Sequence, residues 1–243
     1  MTYEIKDAYV SYFVCDSALE DAKPSELARY FDRALIYKEG TGISTAGGRG
    51  QTLLYTLDKR DLVLRHYLRG GLWGKMMGDR YSVFTGDSER ALLELELLDI
   101  LYRDGLPVPK PFIARQERQG AFLKNDIVIY RVPDSRDLFY ILKERELTHQ
   151  ELAEIGRVLR RFFAHDVVHT DLNIHNILLS STGKVSLIDF DRCRQTLLRE
   201  AHKKAMLERL ERSFAKEMRK DPKLHFKVGD FEVIKRHALK KEN

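Results

Sequence analysis

Two short stretches of the chain constrain its fold and its chemistry more than any other feature. HTDLNIHNILL covers residues 169–179, and VSLIDFD covers residues 185–191. Asp171 is followed five residues later by Asn176, and Asp189 lies thirteen residues beyond that. Apolar runs typical of short buried strands, NILLS and VSLID, surround an SSTGK turn. The pattern predicts a strand–turn–strand unit whose polar side chains can reach one metal-bound ligand.

These residue types suit the transfer of a group from a metal-bound ligand to a hydroxyl. Asn176 and Asp189 offer oxygen atoms, which are the ligands that magnesium prefers. A hydroxyl acceptor needs a carboxylate that orients it and takes its proton, and Asp171 is placed for that role.

A glycine-rich turn, ISTAGGRG at residues 43–50, is a candidate phosphate site. Gly48 and Gly50 would let backbone N–H groups approach phosphate oxygens closely. Glycine turns between strands are also common, so the turn alone does not decide its role. A cation on a neighbouring strand would hold the phosphates, and a carboxylate on the following helix would keep that cation in place. Arg65 and Glu94 stand in those relative positions.

The periodicity of the chain predicts an α+β protein, strand-rich at first and mostly helical later. QTLLYTL and LVLRHY predict a hairpin around the polar DKRD turn. Residues 88–104 predict a helix capped by Ser88 and ended by Gly105. A second predicted helix starts at Thr148, with Glu151 at the capping-box position.

Composition and charge narrow the setting in which the chain would work. The 243 residues carry a net charge of +5, but residues 194–243 alone carry +7. This basic C-terminal segment suits either a solvated helix with ion pairs such as Glu208 with Arg212, or a surface facing anionic lipid. It lacks interleaved aromatic residues for base stacking, so we expect no nucleic acid partner. With two cysteines, no signal-peptide pattern and no long apolar stretch, we expect a cytoplasmic or peripherally attached protein.

The H-x-D-L-x-x-x-N pattern at 169–176, followed by Asp-Phe at Asp189, resembles the catalytic and metal-binding loops of the protein-kinase-like superfamily. The sequence departs from protein kinases at Asp191, where they have glycine, and at Thr170, where they have arginine. No A-P-E motif follows. These departures resemble small-molecule kinases of the aminoglycoside-phosphotransferase type.

Longer stretches, RHYLRGGLWGK and GLPVP among them, are similar to the 3-deoxy-D-manno-octulosonic acid (Kdo) kinases of Gram-negative bacteria, which are related to lipopolysaccharide core heptose kinases. The resemblance runs from about residue 47 to about residue 192. It implies transfer of the ATP γ-phosphate to the 4-hydroxyl of a Kdo residue on Kdo-lipid A, at the cytoplasmic face of the inner membrane. The implied fold is one bilobal kinase-like domain over 1–243, with an N-lobe over about 1–132 and a C-lobe over about 133–243.

The resemblance also implies a role for each candidate residue. Asp171 would be the catalytic aspartate, Asn176 and Asp189 the Mg²⁺ ligands, and His169 a packing residue. The phosphate-binding cation would be Arg65 or, alternatively, Lys75, which lies ten residues further on in a second glycine-rich stretch, LRGGLWGKMMG. Its helix partner would be Glu94, with Glu96 as the rival.

The motifs describe ATP chemistry and leave the acceptor open. A kinase of another sugar or small-molecule hydroxyl therefore stays an alternative. So does a kinase-like protein without transfer activity, although the complete set of Asp171, Asn176 and Asp189 argues against it.

Overall fold

The chain folds into two compact units, Met1–Ile100 with Lys110–Arg131 and Leu101–Pro109 with Val132–Asn243. This is a computed structural model, and it describes residues 2–46, 52–67, 81–82, 89–120 and 122–240. An antiparallel sheet in the N-terminal part and a helical C-terminal part make the architecture α+β, which confirms the predicted class.

The elements are numbered in chain order. The strands are β1 (Tyr3–Asp7), β2 (Val10–Val14), β3 (Thr41–Ala46), β4 (Thr52–Leu57), β5 (Arg60–His66), β6 (Tyr81–Ser82), β7 (Pro111–Gln119), β8 (Phe122–Tyr130), β9 (Ser135–Asp137), β10 (Val167–Val168), β11 (Ile177–Ser180), β12 (Val185–Leu187) and β13 (Arg194–Gln195). The helices are α1 (Pro24–Ala28), α2 (Arg33–Glu39), α3 (Arg90–Arg103), α4 (Leu138–Glu144), α5 (His149–Ala164), α6 (Glu200–Lys220) and α7 (Val228–Ala238).

One antiparallel sheet organises the first unit. Its strand order is β1-β2-β7-β8-β5-β4-β3, and β6 pairs with β8. The β4–β5 hairpin confirms the predicted one, but its turn is two residues shorter than DKRD. Arg60 and Asp61 already belong to β5, and Leu57 pairs with Arg60 across the turn. Asp58 and Lys59 form that turn with φ angles of 49° and 63°. Two successive positive φ angles match the twist of the flanking strands, which is why a two-residue turn closes this hairpin.

Alternation along the strands builds the core of this unit. On β4 every second residue is buried. The buried residues are Leu53, Tyr55 and Leu57, which share one face of the strand. Phe112 of β7 and Val128 of β8 are fully buried against the same cluster. Burying a side chain of this size contributes about 1.5–3 kcal/mol, so the sheet is held mainly by its apolar face.

Helix α3 confirms the helix predicted after the glycine-rich region. It ends as expected at Gly105, whose φ of +73° suits a residue without a Cβ. The Leu106 amide then bonds to the Leu101 carbonyl at 2.9 Å, which closes the helix end. The predicted cap Ser88 lies outside the described residues.

Local sequence signals also position the elements of the second unit. The Thr148 side chain accepts from the Glu151 amide at 3.2 Å, and the Glu151 carboxylate accepts from the Thr148 amide at 2.8 Å. This confirms the predicted capping box at the start of α5. Strands β11 and β12 pair around the SSTGK turn, as predicted, and β9 pairs with the other edge of β11.

Candidate active site

The loop between β10 and β11 carries Asp171 and Asn176, and its own hydrogen bonds hold its shape. The Asn176 Nδ2 donates to the Asp171 backbone oxygen at 2.9 Å. The Asn173 Nδ2 donates to the same backbone oxygen at 3.0 Å and to the Asp171 carboxylate at 3.1 Å. Residues Ile174–Asn176 form one 3₁₀ turn that leads directly into β11. We call residues 169–176 the catalytic loop below, after the role predicted for Asp171.

The β11–β12 hairpin brings Asn176 and Asp189 to the same end. Ile177 pairs with Leu187, and the Ile188 amide donates to the Asn176 carbonyl at 3.0 Å. Asp189 is the next residue, and its φ is +66°. A positive φ is uncommon for a residue with a Cβ and is found where surrounding structure imposes it, often at functional sites.

The donor set at this end fits magnesium. Asn176 uses its amide nitrogen within the loop, which leaves the amide oxygen as the atom it can offer to a ligand. Asp189 adds a carboxylate, so both of these residues offer oxygen atoms. Magnesium is typically bound by one or two such protein groups together with substrate phosphates and water.

His169 packs as a structural residue in this loop. Its side chain is buried, its Nε2 lies 3.1 Å from the Ile188 carbonyl, and its ring centroid lies 5.0 Å from that of Phe190. Burial lowers the pKa of His169, although the hydrogen bond to Ile188 acts in the opposite direction. A neutral imidazole that donates to Ile188 joins the catalytic loop to the segment carrying Asp189.

Helix α6 supports the catalytic loop along one face, and sequence reasoning missed this. Residues spaced three or four apart on a helix lie on the same side. Four such residues of α6 each meet a different part of the loop. The Met206 sulfur accepts from the His169 amide at 3.2 Å, and Arg209 donates to the Asp171 carboxylate at 2.7 Å. The Ser213 hydroxyl accepts from the Ile174 amide at 3.1 Å, and the Glu217 carboxylate lies 3.8 Å from the His175 ring. The spacing was visible in the sequence, but the identity of the partner segment was not.

The contact made by Thr170 was not predicted either. Its hydroxyl donates to the Asp191 carbonyl at 3.1 Å, so the loop is also tied to the segment after Asp189. A threonine therefore makes a neutral link between the two loops at the position where protein kinases have arginine.

In the first unit, Arg65 of β5 and Glu94 of α3 form an ion pair. Glu94 is buried, and the Tyr67 hydroxyl also donates to it. Burial raises the pKa of Tyr67 well above its usual value, so its hydroxyl stays a donor.

Glu96 is exposed on another face of α3. The structure therefore brings Glu94 to Arg65, whereas Gly48, Gly50 and Lys75 lie outside the described residues.

Comparison with known proteins assigns the family. The model of the lipopolysaccharide kinase (Kdo/WaaP) family matches residues 34–232. The chain belongs to this family. It is 42% identical over 237 residues to a 3-deoxy-D-manno-octulosonic acid kinase of Vibrio parahaemolyticus, with 96% of each chain covered. Kinases of the same name from Vibrio cholerae and Photobacterium profundum are 39% and 40% identical, over 78% and 84% of this chain and 86% of each relative.

The C-terminal segment of this Kdo/WaaP family member combines ion pairs with exposed basic residues. The predicted Glu208–Arg212 pair is present at 3.8 Å. Lys204 and Lys220 remain 78% and 58% exposed while contacting glutamates of the same helix, and Arg219 is exposed. Among the described helices, none combines the length and apolar character needed to span a membrane.

Proposed function

We propose that this family member transfers the γ-phosphate of ATP to the 4-hydroxyl of a Kdo residue on Kdo-lipid A. The observation that carries the acceptor is the 42% identity to a 3-deoxy-D-manno-octulosonic acid kinase over 96% of both chains. The catalytic loop supports the chemistry, because it presents Asp171 beside the Asn176–Asp189 hairpin end.

In this proposal the residues of the second unit orient the acceptor and hold the metal. Asp171 accepts the hydrogen bond of the acceptor hydroxyl. It takes the hydroxyl proton as the hydroxyl oxygen bonds to the γ-phosphorus of ATP and the bond from that phosphorus to the β-phosphate oxygen breaks, which releases ADP. Asn176 and Asp189 would hold Mg²⁺, which supplies charge neutralisation of the phosphate oxygens when bound. The protein contributes positioning and electrostatics and forms no covalent bond to the phosphoryl group.

In the first unit, Arg65 would bind nucleotide phosphates while Glu94 keeps its guanidinium in place. Arginine forks onto phosphate with two donors, whereas a lysine in this role is a point charge. The ion pair with a buried glutamate supports Arg65 over Lys75. Gly48 and Gly50 would line the phosphates with backbone N–H groups. We further propose that the first unit serves as the N-lobe and the second as the C-lobe of one kinase-like domain.

The basic C-terminal segment would place the protein at the anionic cytoplasmic face of the inner membrane. Exposed Lys204, Arg219 and Lys220 support this placement. Each basic residue near such a surface contributes about 1 kcal/mol of attraction.

The experiment that tests the function is transfer of label from γ-labelled ATP to a panel of acceptors. The panel contains Kdo-lipid A, lipid A without Kdo, and a lipid A that carries heptose but no Kdo. The proposal predicts magnesium-dependent labelling of Kdo-lipid A alone. Labelling of another acceptor instead would favour a different small-molecule kinase, and no labelling with any acceptor would favour a kinase-like protein without transfer activity.

A further inference from the structure

Arg209 of α6 holds the carboxylate of Asp171 directly. Its Nη1 donates to Asp171 Oδ1 at 2.7 Å, and the two side chains are 49% and 54% exposed. The Asn173 amide donates to the other carboxylate oxygen at 3.1 Å. A carboxylate has about four lone-pair positions, so Asp171 can still accept a bond from an acceptor hydroxyl.

The guanidinium of Arg209 has donors to spare. Arginine has five N–H donors in a planar fork. In the part of the chain that the structure describes, Arg209 makes one ion pair, and that pair reaches 38 residues back to Asp171. Neighbouring bases of α6 differ, because Lys203 and Lys220 pair with Glu200 and Glu217 three residues before them on the same helix. Arg209 is thus a half-exposed cation directed at the catalytic carboxylate.

The proposed acceptor poses an electrostatic problem at this position. A sugar acid such as Kdo carries its own carboxylate, on the ring carbon that lies two ring bonds from the one bearing the 4-hydroxyl. Placing that hydroxyl on Asp171 brings two negative charges close together. Like charges at short distance repel, and the repulsion strengthens as the bound acceptor displaces water from Asp171. A cation shared by both carboxylates would offset this repulsion.

Resting on the proposed function, we infer that Arg209 is a specificity-determining residue that binds the carboxylate of the sugar-acid acceptor. One N–H of its Nη1 keeps donating to Asp171, and other N–H groups of the guanidinium donate to the acceptor carboxylate. A guanidinium can bind a carboxylate in this way through two parallel hydrogen bonds. The acceptor hydroxyl then meets Asp171, and neutral sugars of the same shape lack the group that Arg209 recognises.

Two simpler roles of Arg209 predict a different dependence of the transfer rate on the charge of the acceptor. If it only orients Asp171, or contacts the transferred phosphate, its loss slows transfer regardless of the charge on the acceptor. The acceptor carboxylate is therefore the variable to change.

The test is a cycle that changes the arginine and the carboxylate separately. The acceptors are Kdo-lipid A and the same molecule with the Kdo carboxylate converted to a methylamide. The variants are Arg209→Gln, Arg209→Lys as the one that keeps charge, and Arg157→Gln as a control. Arg157 is a half-exposed arginine of α5 that pairs with Glu154. Its side chain is 43% exposed, which is similar to the 49% of Arg209.

We expect Arg209→Gln to lower kcat/KM for the acid acceptor about 10- to 100-fold, mainly through KM, as for the loss of hydrogen bonds to a charged group. The kcat/KM of the wild-type protein should be lower by a similar factor for the methylamide than for the acid acceptor. For the methylamide, the kcat/KM of Arg209→Gln should be little lower than that of the wild type. Arg209→Lys should fall between the two, and Arg157→Gln should match the wild type. An equal loss for both acceptors in Arg209→Gln would overturn the inference while leaving the proposed function intact. Failure of the wild-type protein to phosphorylate any Kdo acceptor would sink both.

Discussion

At the scale of single residues, the environment of Asp171 fits a group that positions a hydroxyl. It is half-exposed, and hydrogen bonds from Arg209 and Asn173 hold its two oxygens. Asp171→Asn keeps the size of the side chain and removes the proton acceptor. We expect kcat to fall about 10²- to 10⁴-fold, the usual contribution of a general base, while ATP binding persists.

The measurement is steady-state transfer to Kdo-lipid A together with an ATP titration. Asp104→Asn is the matched control, because Asp104 is exposed and outside the candidate site. Near wild-type turnover in Asp171→Asn would remove this residue from the mechanism.

Asp126 predicts a pH dependence of stability in the first unit. Burial alone would raise its pKa, but a hydrogen bond from His66 and the charge of Arg115 outweigh burial, so the pKa of Asp126 is lowered. The ionised form is therefore favoured by folding. Its contribution is complete above the unfolded pKa of about 4 and is lost as pH falls through the folded value.

Urea unfolding of the wild type and Asp126→Asn between about pH 5 and pH 2.5 tests this, since histidines stay protonated over that range. We expect the free energy of unfolding to fall more steeply with acid in the wild type than in the variant. Asp104→Asn should keep the wild-type slope. If the free energy of unfolding fell equally with acid in the wild type and Asp126→Asn, the contacts of Asp126 with His66 and Arg115 would not favour its ionised form.

At the scale of elements, the contact between α5 and α7 depends on a glycine. A Cβ on Gly156 would lie 2.4 Å from the Ile234 carbonyl oxygen and 2.6 Å from the His237 Cβ. Backbone atoms cannot move aside as a flexible side chain can. Gly156→Ala should therefore destabilise the protein by about 1–3 kcal/mol, as overpacking usually does.

Chemical denaturation compares this variant with Gly229→Ala. A Cβ on Gly229, at the start of α7, would meet nothing within 4 Å. We expect that control to be neutral or slightly stabilising, since alanine loses less backbone freedom in a helix. Equal stability of Gly156→Ala and the wild type would mean that α7 can move away without cost.

Elements with strong local signals were predictable from the sequence. The capping box at Thr148 and the polar turn at Asp58 determine their structures within a few residues. The β1–β2 hairpin was not predicted, although half-buried Tyr3 and Ile5 alternate with exposed Glu4 and Lys6 along β1. The strand has only five residues, so the alternation is short. Helices α1 and α2 were missed as well, since both are shorter than two full turns and give little periodicity.

In the candidate site, too, residues close in sequence were predictable and a contact between distant segments was not. The spacing of Asp171, Asn176 and Asp189 lies within one strand–turn–strand unit, so the sequence could place these residues together. The contact of Arg209 with Asp171 spans 38 residues and depends on how α6 packs. A helix periodicity shows which residues share a face, but it does not show which segment that face meets.

At the scale of the whole molecule, the uneven charge predicts salt-sensitive membrane binding. We expect the protein to bind vesicles containing anionic lipid and to dissociate as salt rises, because exposed charges are screened within about 10 Å at 0.1 M salt. Replacing Lys204, Arg219 and Lys220 with glutamine should weaken this binding. Replacing the exposed Lys6, Lys23 and Lys38 of the first unit removes the same charge and is the control.

Cosedimentation with anionic and neutral vesicles at several salt concentrations measures this directly. Binding that persists unchanged at high salt, or an equal loss in both triple variants, would contradict a membrane role for the basic C-terminal segment.

The proposed reaction of the intact protein adds one phosphate to its acceptor. The most direct test is a mass spectrum of Kdo-lipid A after incubation with the purified protein, ATP and magnesium, followed by fragmentation. We predict a gain of one phosphate that maps to the 4-hydroxyl of Kdo and is absent with Asp171→Asn. An unchanged acceptor, or a phosphate on the lipid A portion, would contradict the proposed function.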